Sequence, residues 1–367
     1  MVMLTSIDIK GYRSIKNASL ELRPLNVLIG ANGAGKSNFV SFFKMLNEMM
    51  AGRLQQYFGM TGRAQSVLYL GPKVTPRLDA SLEFEEGGVR SRYHMQLICG
   101  ANDTLSFSSE ILYPDIVAIE STRSLGVGHE ETQIRDEVAR RNEAAMALQY
   151  FLNECRAYHF HDTSPTARVR LHCYINDNRK LLPDAGNLAA LLYYYRERSP
   201  MVYLRIISTI QMVMPEFHDF ELEPDRLNPH DINLNWRKRG SEYLFGPHQI
   251  SDGSLRAMAI ITLFLQPEND LPNVIILDEP ELGLHPYALG IVAGLIRSAS
   301  VKSQVIVATQ SASFVEYFEP SEVVVVDSLA GHSSLRRLET DDYLEWLNDY
   351  TLGELWERNV IGGGPTP

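Results

Sequence analysis

The apolar positions of this chain follow two rhythms, one of period two and one of period 3.6. Residues 3–9 and 18–22 alternate apolar with polar, which predicts two short strands around the turn Lys10-Gly11-Tyr12-Arg13-Ser14. Val27–Ile29 is a continuous apolar run and predicts a buried strand, while Phe39, Phe42, Phe43 and Leu46 just after it fall at helical spacing. Residues 67–70, 80–84 and 91–98 predict further strands, with Glu86-Gly87-Gly88 as the turn between the last two. Local hairpins beside a buried strand predict a mixed sheet. From Glu130 to Cys155 the residues Ile134, Val138, Ala145, Leu148, Leu152 and Cys155 predict one amphipathic helix, too short and too weakly patterned for a coiled-coil arm. Tyr158 to Pro165 reads as a strand running into polar residues and then proline, a lobe boundary. Helices are predicted from the Leu182–Ala189 stretch through Tyr193-Tyr194-Tyr195, over 201–214 and over 257–265. Val274–Leu277 predicts a second buried strand, ending in Asp278-Glu279-Pro280.

Composition narrows this little. The 367 residues suffice for one large domain or two lobes, and 45% hydrophobic with 22% charged content is ordinary for a globular protein. No apolar run approaches the ~20 residues of a membrane span, and residues 1–10 lack a signal-peptide core. Cys99, Cys155 and Cys173 are far apart and odd in number, which points to reduced thiols in a cytoplasm. The net charge of −11 argues against a chain coated for nucleic acid. Local charge differs: Arg156 to Arg205 holds eight basic against four acidic residues, and Arg237-Lys238-Arg239 adds a basic run. Such a region is either a solvated face or a surface for DNA or an acidic partner.

Chemistry is concentrated in three places. Gly30-Ala31-Asn32-Gly33-Ala34-Gly35-Lys36-Ser37 fits the phosphate-loop pattern G-x-x-x-x-G-K-[ST] and sits between a predicted strand and a predicted helix. Its glycines let backbone N–H groups converge on phosphate, and the new helix adds the positive end of its dipole. Lys36 is expected to reach the outer phosphates of ATP, and the Ser37 hydroxyl to ligate Mg²⁺. Asp278 and Glu279 end the second buried strand, where Asp278 is expected to hold the Mg²⁺ water shell and Glu279 to act as general base on the attacking water. Ser251-Asp252-Gly253-Ser254, ahead of a strongly apolar helix, makes a second phosphate-grade helix tip, best explained if it caps the nucleotide of another subunit. Arg13 is either a nucleotide contact or a surface turn arginine. His161 and Asp162 lie either near nucleotide or in a capped turn.

These stretches together resemble the ABC-type ATPase heads of the SMC and RecF superfamily. The set is similar to compact bacterial RecF-like ATPases, a group that includes the ATPase part of the overcoming-lysogenization-defect nucleases. The resemblance rests on Ile7–Ser14, Gly30–Asn38, Ser251–Ser254, Asp278–Pro286 and Ala308-Thr309-Gln310-Ser311, in that order across nearly the whole chain. Leu352-Gly353-Glu354-Leu355-Trp356 through Gly362-Gly363 also looks like the ending of stand-alone ATPases of this group. It implies an α/β P-loop NTPase of ABC/SMC-head type, with a mixed-sheet lobe and a helical lobe that carries the signature motif. The core lobe is expected over 1–163 and 268–367, and the helical lobe over 164–267. ATP and Mg²⁺ are the implied cofactors. The implied nucleotide contacts are Asn32, Gly33, Ala34, Gly35, Lys36, Ser37, Asn38 and Arg13, with Ser251 and Gly253 reaching the γ-phosphate in trans. Ser37 and Asp278 are the implied metal ligands, and Lys36, Glu279 and Gln310 the catalytic residues. Asp252 departs from the second glycine of transporter signatures. Gln310 stands where many relatives carry a switch histidine; it can hydrogen-bond but not titrate, so slow hydrolysis is expected. Gln65 and Gln96 are the candidates for the glutamine of the lobe junction.

Three functions compete. One is an ATP-driven head-to-tail homodimer acting as a switch in DNA maintenance or anti-phage defence, with DNA or a separate nuclease or toxin chain as partner. Another is the energising subunit of a membrane transporter, which the RecF-like start, Asn38 and Asp252 argue against. The last is an ATPase with its own nuclease; because the sequence stops soon after the head, that activity is expected on a separate chain. The acids Asp341, Asp342 and Glu345 are expected to form the solvated face of a terminal helix.

Overall fold

A computed structural model describes residues 2–100, 103–118 and 122–364. The chain divides into two compact units, one of residues 1–157, 272–276 and 303–367, the other of residues 158–271 and 277–302. The sequence places the lobe boundaries at 163/164 and 267/268 instead. The largest difference is the segment 277–302, which joins the second unit because its helix packs on other helices of that unit.

The first unit begins with β1 (Met3–Tyr12), β2 (Ile15–Glu21), β3 (Leu25–Ile29) and α1 (Lys36–Met50). The turn between β1 and β2 is tighter than predicted, only Arg13 and Ser14. Gly11 stays within the strand at φ +78, where a Cβ would sit 2.5 Å from the Arg77 carbonyl oxygen. Next come α2 (Leu54–Thr61), α3 (Arg63–Val67), β4 (Arg77–Glu86), β5 (Val89–Cys99), β6 (Leu105–Tyr113) and β7 (Arg123–Gly126). The strand expected at 67–70 is absent. Residues 63–67 are helical, Leu68 makes a single bridge to Tyr12, and Leu70 turns the chain at φ +53. The β4–β5 hairpin closes on Gly87 and Gly88, at φ +59 and +85, the left-handed pair a two-residue turn requires. The single helix expected over 130–155 is two, α4 (Ile134–Ala139) and α5 (Glu143–Asn153). Arg141 at φ +61 breaks it, and Asn142 restarts it by accepting the Ala145 N–H at 3.2 Å. The strand β8 (Cys155–Tyr158) follows.

The second unit contains β9 (Cys173–Tyr174), α6 (Leu188–Arg198), α7 (Pro200–Val213), β10 (Phe217–Glu221), β11 (Asp231–Ile232), β12 (Asn235–Lys238), β13 (Leu244–Phe245) and α8 (Asp252–Leu265). After β14 (Val274–Asp278), α9 (Pro286–Ser300) adds to it. The helices α7, α8 and α9 pack together, and their Ile206, Ile207, Ile210, Met258, Ile261, Val292 and Ile296 are all buried. Tyr195 is fully buried while Tyr194 is 39% exposed, so the tyrosine triplet splits between core and surface.

The chain then returns to the first unit with β15 (Gln304–Thr309), α10 (Ala312–Val315), β16 (Val323–Leu329), β17 (His332–Arg337), α11 (Leu344–Leu347) and α12 (Leu352–Glu357). Asp341 and Asp342 lie in a 3-10 turn and Glu345 in the one-turn α11, rather than in the helix expected there. The first unit carries two six-stranded sheets, β2-β1-β4-β5-β6-β7 and β17-β16-β3-β15-β14-β8. β3 pairs in parallel with β15 and with β16. Apolar residues of both sheets and of α1 form one core, with Phe39, Phe42, Phe43 and Leu46 each at most 1% exposed. The phosphate-loop strand is therefore central and its helix is anchored along one aromatic face. Gly30, the first residue past β3, leaves no space for a side chain, since a Cβ would collide with the Val326 carbonyl of β16. Gly30→Ala should lower stability by about 1–3 kcal/mol, the usual scale of overpacking. A lower urea midpoint at unchanged m-value is the expected result.

Candidate functional site

The loop from Gly30 to Gly35 leaves β3 and hands over directly to α1. Gly33 and Gly35 take φ +81 and +114, left-handed values that side chains resist. Gly35 is the N-cap of α1 and offers no side-chain cap, so the first N–H groups of the helix have no intrahelical acceptor. Lys36 is 4% exposed, and its ammonium donates to the carbonyls of Gly30 at 2.6 Å and Ala31 at 3.1 Å. Ser37 is exposed in the first turn.

A hydroxyl chain supports this loop from behind. Asn38 Nδ2 lies 2.6 Å from Ser14 Oγ, Ser14 Oγ lies 2.7 Å from Ser333 Oγ, and Ser333 Oγ lies 2.6 Å from the Ala34 carbonyl. Asn38 donates to Ser14, and the Ser333 hydroxyl is placed to donate to Ser14 or to the Ala34 carbonyl. Ser333 also excludes any side chain at Gly35. Nothing local marks Ser333 in the sequence. It lies on β17, and only the β16–β17 hairpin brings it under the loop.

Arg13 sits at φ +49 in the β1–β2 turn, with its N–H on the Val67 carbonyl at 2.8 Å and its guanidinium 5.5 Å from the Tyr12 ring centre. Together with Ser14, Asn38, Gln65 and Tyr69 it lines an open groove of about 770 Å³. Gln96 lies elsewhere, on β5, donating to Asp79 at 3.0 Å. Gln310 follows β15 and lines a cavity of about 400 Å³ with Asn32, Ala34, Asp327, Trp356 and Gly363.

The second unit carries the acidic pair and the serine tip. Asp278 is the last residue of β14, and its Oδ1 is buried with no hydrogen-bond partner among the described residues. Its carbonyl accepts from His161 Nε2 at 2.8 Å, which fixes that ring's tautomer. Asp162 caps a turn instead, accepting the Ser164 N–H at 3.1 Å. Glu279 stands at φ +45, a conformation that strains a residue with a side chain. Ser251 is the N-cap of α8, accepting the Ser254 N–H at 3.2 Å, and is exposed. Gly253 packs so closely on the Gly283 carbonyl that a Cβ would collide with it. Arg256 ties this tip to its neighbours, donating to the carbonyls of His161 at 2.8 Å, Phe160 at 3.1 Å and Leu282 at 3.1 Å.

Arg170 holds Asp252 in place. Its side chain is 5% exposed, and it donates to Asp252 Oδ1 at 2.7 Å, to the carbonyls of Thr163 at 2.7 Å and Ile250 at 3.1 Å, and to that of Pro247. The hydrogen bond from Arg170, then that from Thr163, holds the Asp252 carboxyl below its usual range. The acid in the first turn of α8 is thus paired from beneath by a buried arginine.

Among the described residues no group of three or more His, Cys, Asp or Glu is gathered as a metal site. A hard cation that keeps several waters and borrows ligands from substrate phosphate fits such a sparse donor set. The orphaned Asp278 Oδ1 is an oxygen suited to it.

Residues 171–316 match the family described as "AAA domain, putative AbiEii toxin, Type IV TA system". Residues 3–68 match the family described as "AAA ATPase domain". No curated protein matches the sequence. Among solved structures the chain is similar to the SmcHead bound to the C-winged helix domain of ScpA, at 16% identity and TM-score 0.60, over 93% of this chain and 99% of that one. It is also similar to the Smc head domain with an extended coiled coil bound to the C-terminal domain of ScpA, derived from Pyrococcus furiosus. That match has 15% identity and TM-score 0.58, over 95% of this chain and 99% of the other. The chain has the fold of the SMC head domains. Among the described residues of this head the longest helices, α1 and α9, have 15 residues, and none is long and apolar enough to cross a membrane.

Removing Arg170 leaves several buried carbonyls of the head unsatisfied, whereas Asp252 is largely exposed. Arg170→Ala should therefore cost about 3 kcal/mol and Asp252→Asn under about 1 kcal/mol, measured by urea unfolding at pH 7. Because the folded Asp252 carboxyl titrates low, its small contribution is present above the unfolded value. It is lost as pH falls through the folded one.

Proposed function

We propose that this head binds and hydrolyses ATP with Mg²⁺ and dimerises head-to-tail around it, as a nucleotide-driven switch in DNA maintenance or anti-phage defence. The observation that carries this reading is the presence of two phosphate-grade helix N-termini on one chain. One follows the loop at Gly35, and the other is the exposed Ser251 tip of α8. A single nucleotide needs the first alone, so the second is assigned to the nucleotide of a partner copy.

In this reading the loop N–H groups of residues 32–38 and Lys36 hold the phosphates, Arg13 and Asn38 lie beside the nucleotide, and Ser251 and Gly253 complete the pocket in trans. Ser37 and Asp278 would hold Mg²⁺, which supplies charge neutralisation between the outer phosphates when bound. Water bonds to the γ-phosphorus as its bond to the β-bridging oxygen breaks, and the water proton passes to Glu279. Gln310 contacts the transferred group without titrating. DNA or a separate effector chain would read the closed state in the cytoplasm. The groove of about 820 Å³ beside the exposed Lys238 and Arg239 supports an acidic partner.

Glu279→Gln should cut turnover by about 10²–10⁴-fold, the usual contribution of a general base. With Mg-ATP it should elute as a dimer on size exclusion, and a variant that holds nucleotide yet stays monomeric would overturn the reading. Lys36→Ala should weaken labelled-ATP binding by at least about tenfold, the loss of one charged contact; unchanged affinity would move the nucleotide elsewhere.

A further inference from the structure

Residues 351–364 close on the phosphate loop from a distance of more than 300 positions in sequence. The Gly363 carbonyl accepts the Ala31 N–H at 2.7 Å. The Gly363 N–H donates to Asp327 Oδ2 at 3.1 Å, and the Ile361 carbonyl accepts from Arg336 at 2.8 Å. Gly362 and Gly363 take φ +79 and +73, and a Cβ on Gly363 would lie 2.8 Å from Val325 Cγ1. Only glycine fits there without strain. The peptide unit that carries the Ala31 N–H has the Gly30 carbonyl at its other end, and that carbonyl accepts from Lys36 Nζ at 2.6 Å. A short run of backbone contacts thus links Asp327, Gly363, Ala31 and the loop lysine.

The same segment reaches the residues after Gln310. Gly353 of α12 packs on α10, where a Cβ would lie 2.6 Å from the Ala312 carbonyl oxygen, and Thr351 Oγ1 donates to Glu316 at 2.8 Å. Trp356, Gly363 and Gly364 share the 400 Å³ cavity with Asn32 and Gln310. The buried Trp356 Nε1 in that cavity has no partner among the described residues.

We propose that residues 351–364 are a strap that positions the phosphate loop for nucleotide, with Gly363 and Asp327 as its positioning residues. The proposal rests on the nucleotide-binding reading above. Its physical basis is preorganisation: a loop fixed before the ligand arrives loses less freedom on binding. Arg336 and Asp327 hold the strap, the strap holds Ala31, and Ala31 sets the resting place of Lys36.

The test compares Asp327→Ala and Gly363→Ala with the wild type and with Arg198→Ala, an exposed control at the end of α6. Readouts are binding of N-methylanthraniloyl-ATP with Mg²⁺, hydrogen exchange at the Ala31 amide, melting temperature, and steady-state ATPase kinetics. Both strap variants should bind about tenfold more weakly, the scale of one lost hydrogen bond. Their Ala31 amide should exchange faster, KM should rise while kcat holds within about twofold, and the control should match the wild type. Asp327→Ala should melt close to the wild type, which separates positioning from unfolding. Unchanged or tighter binding in Asp327→Ala, or an Ala31 amide as protected as before, overturns the strap alone. A wild type that binds no nucleotide overturns the underlying reading and the strap with it.

Discussion

A helix that begins directly after a left-handed glycine leaves its first N–H groups without an intrahelical acceptor or a side-chain cap, and the organisation of the first unit follows from that. Gly35 cannot cap α1, so the positive end of the helix stays open. An open end is costly unless the chain around it is held rigid, because free N–H groups otherwise draw the loop into a collapsed turn. The aromatic stripe Phe39, Phe42 and Phe43 fixes the helix, parallel pairing of β3 with β15 and β16 fixes the entry, and the Asn38–Ser14–Ser333 chain fixes the loop from behind. In the proposed reading, anion affinity is therefore a property of backbone held in place, with Lys36 added to it.

The second unit solves the same problem differently. There the tip of α8 is capped by its own Ser251 hydroxyl, and its acid is neutralised by a buried arginine. Gly253 and Gly283 touch backbone to backbone, so the tip and the loop after Glu279 move together or not at all. Glu279 is strained at the start of that loop, and strain of this kind persists only where surrounding contacts over-determine the backbone. Arg256 supplies those contacts by bonding to carbonyls on both sides.

The parts legible in the sequence were those whose chemistry is local. The phosphate loop, the acid-ended strand and the serine tip each announce themselves within ten residues, and together they carried the fold type as well. Legibility failed where a local pattern was outvoted. Residues 67–70 are apolar enough for a strand but lie beyond a glycine-initiated helical turn. The 130–155 periodicity is real on both sides of Arg141, yet one left-handed residue splits it. Ser333, Arg170 and Asp327 were invisible because a serine, an arginine or an aspartate has no pattern of its own. Their role comes from a hairpin, from burial or from a glycine more than thirty positions away.

One feature unites the supports that the sequence hid: most of them end on backbone carbonyls or N–H groups rather than on opposite charges. Lys36 donates to Gly30 and Ala31, Arg170 to Thr163 and Ile250, Arg256 to Phe160, His161 and Leu282, and Gly363 accepts from Ala31. A cation satisfied by carbonyls is held by chain geometry, and salt screens it far less than it screens a surface ion pair. When an anion arrives, a lysine resting on two carbonyls can exchange them for phosphate oxygens, one acceptor for another.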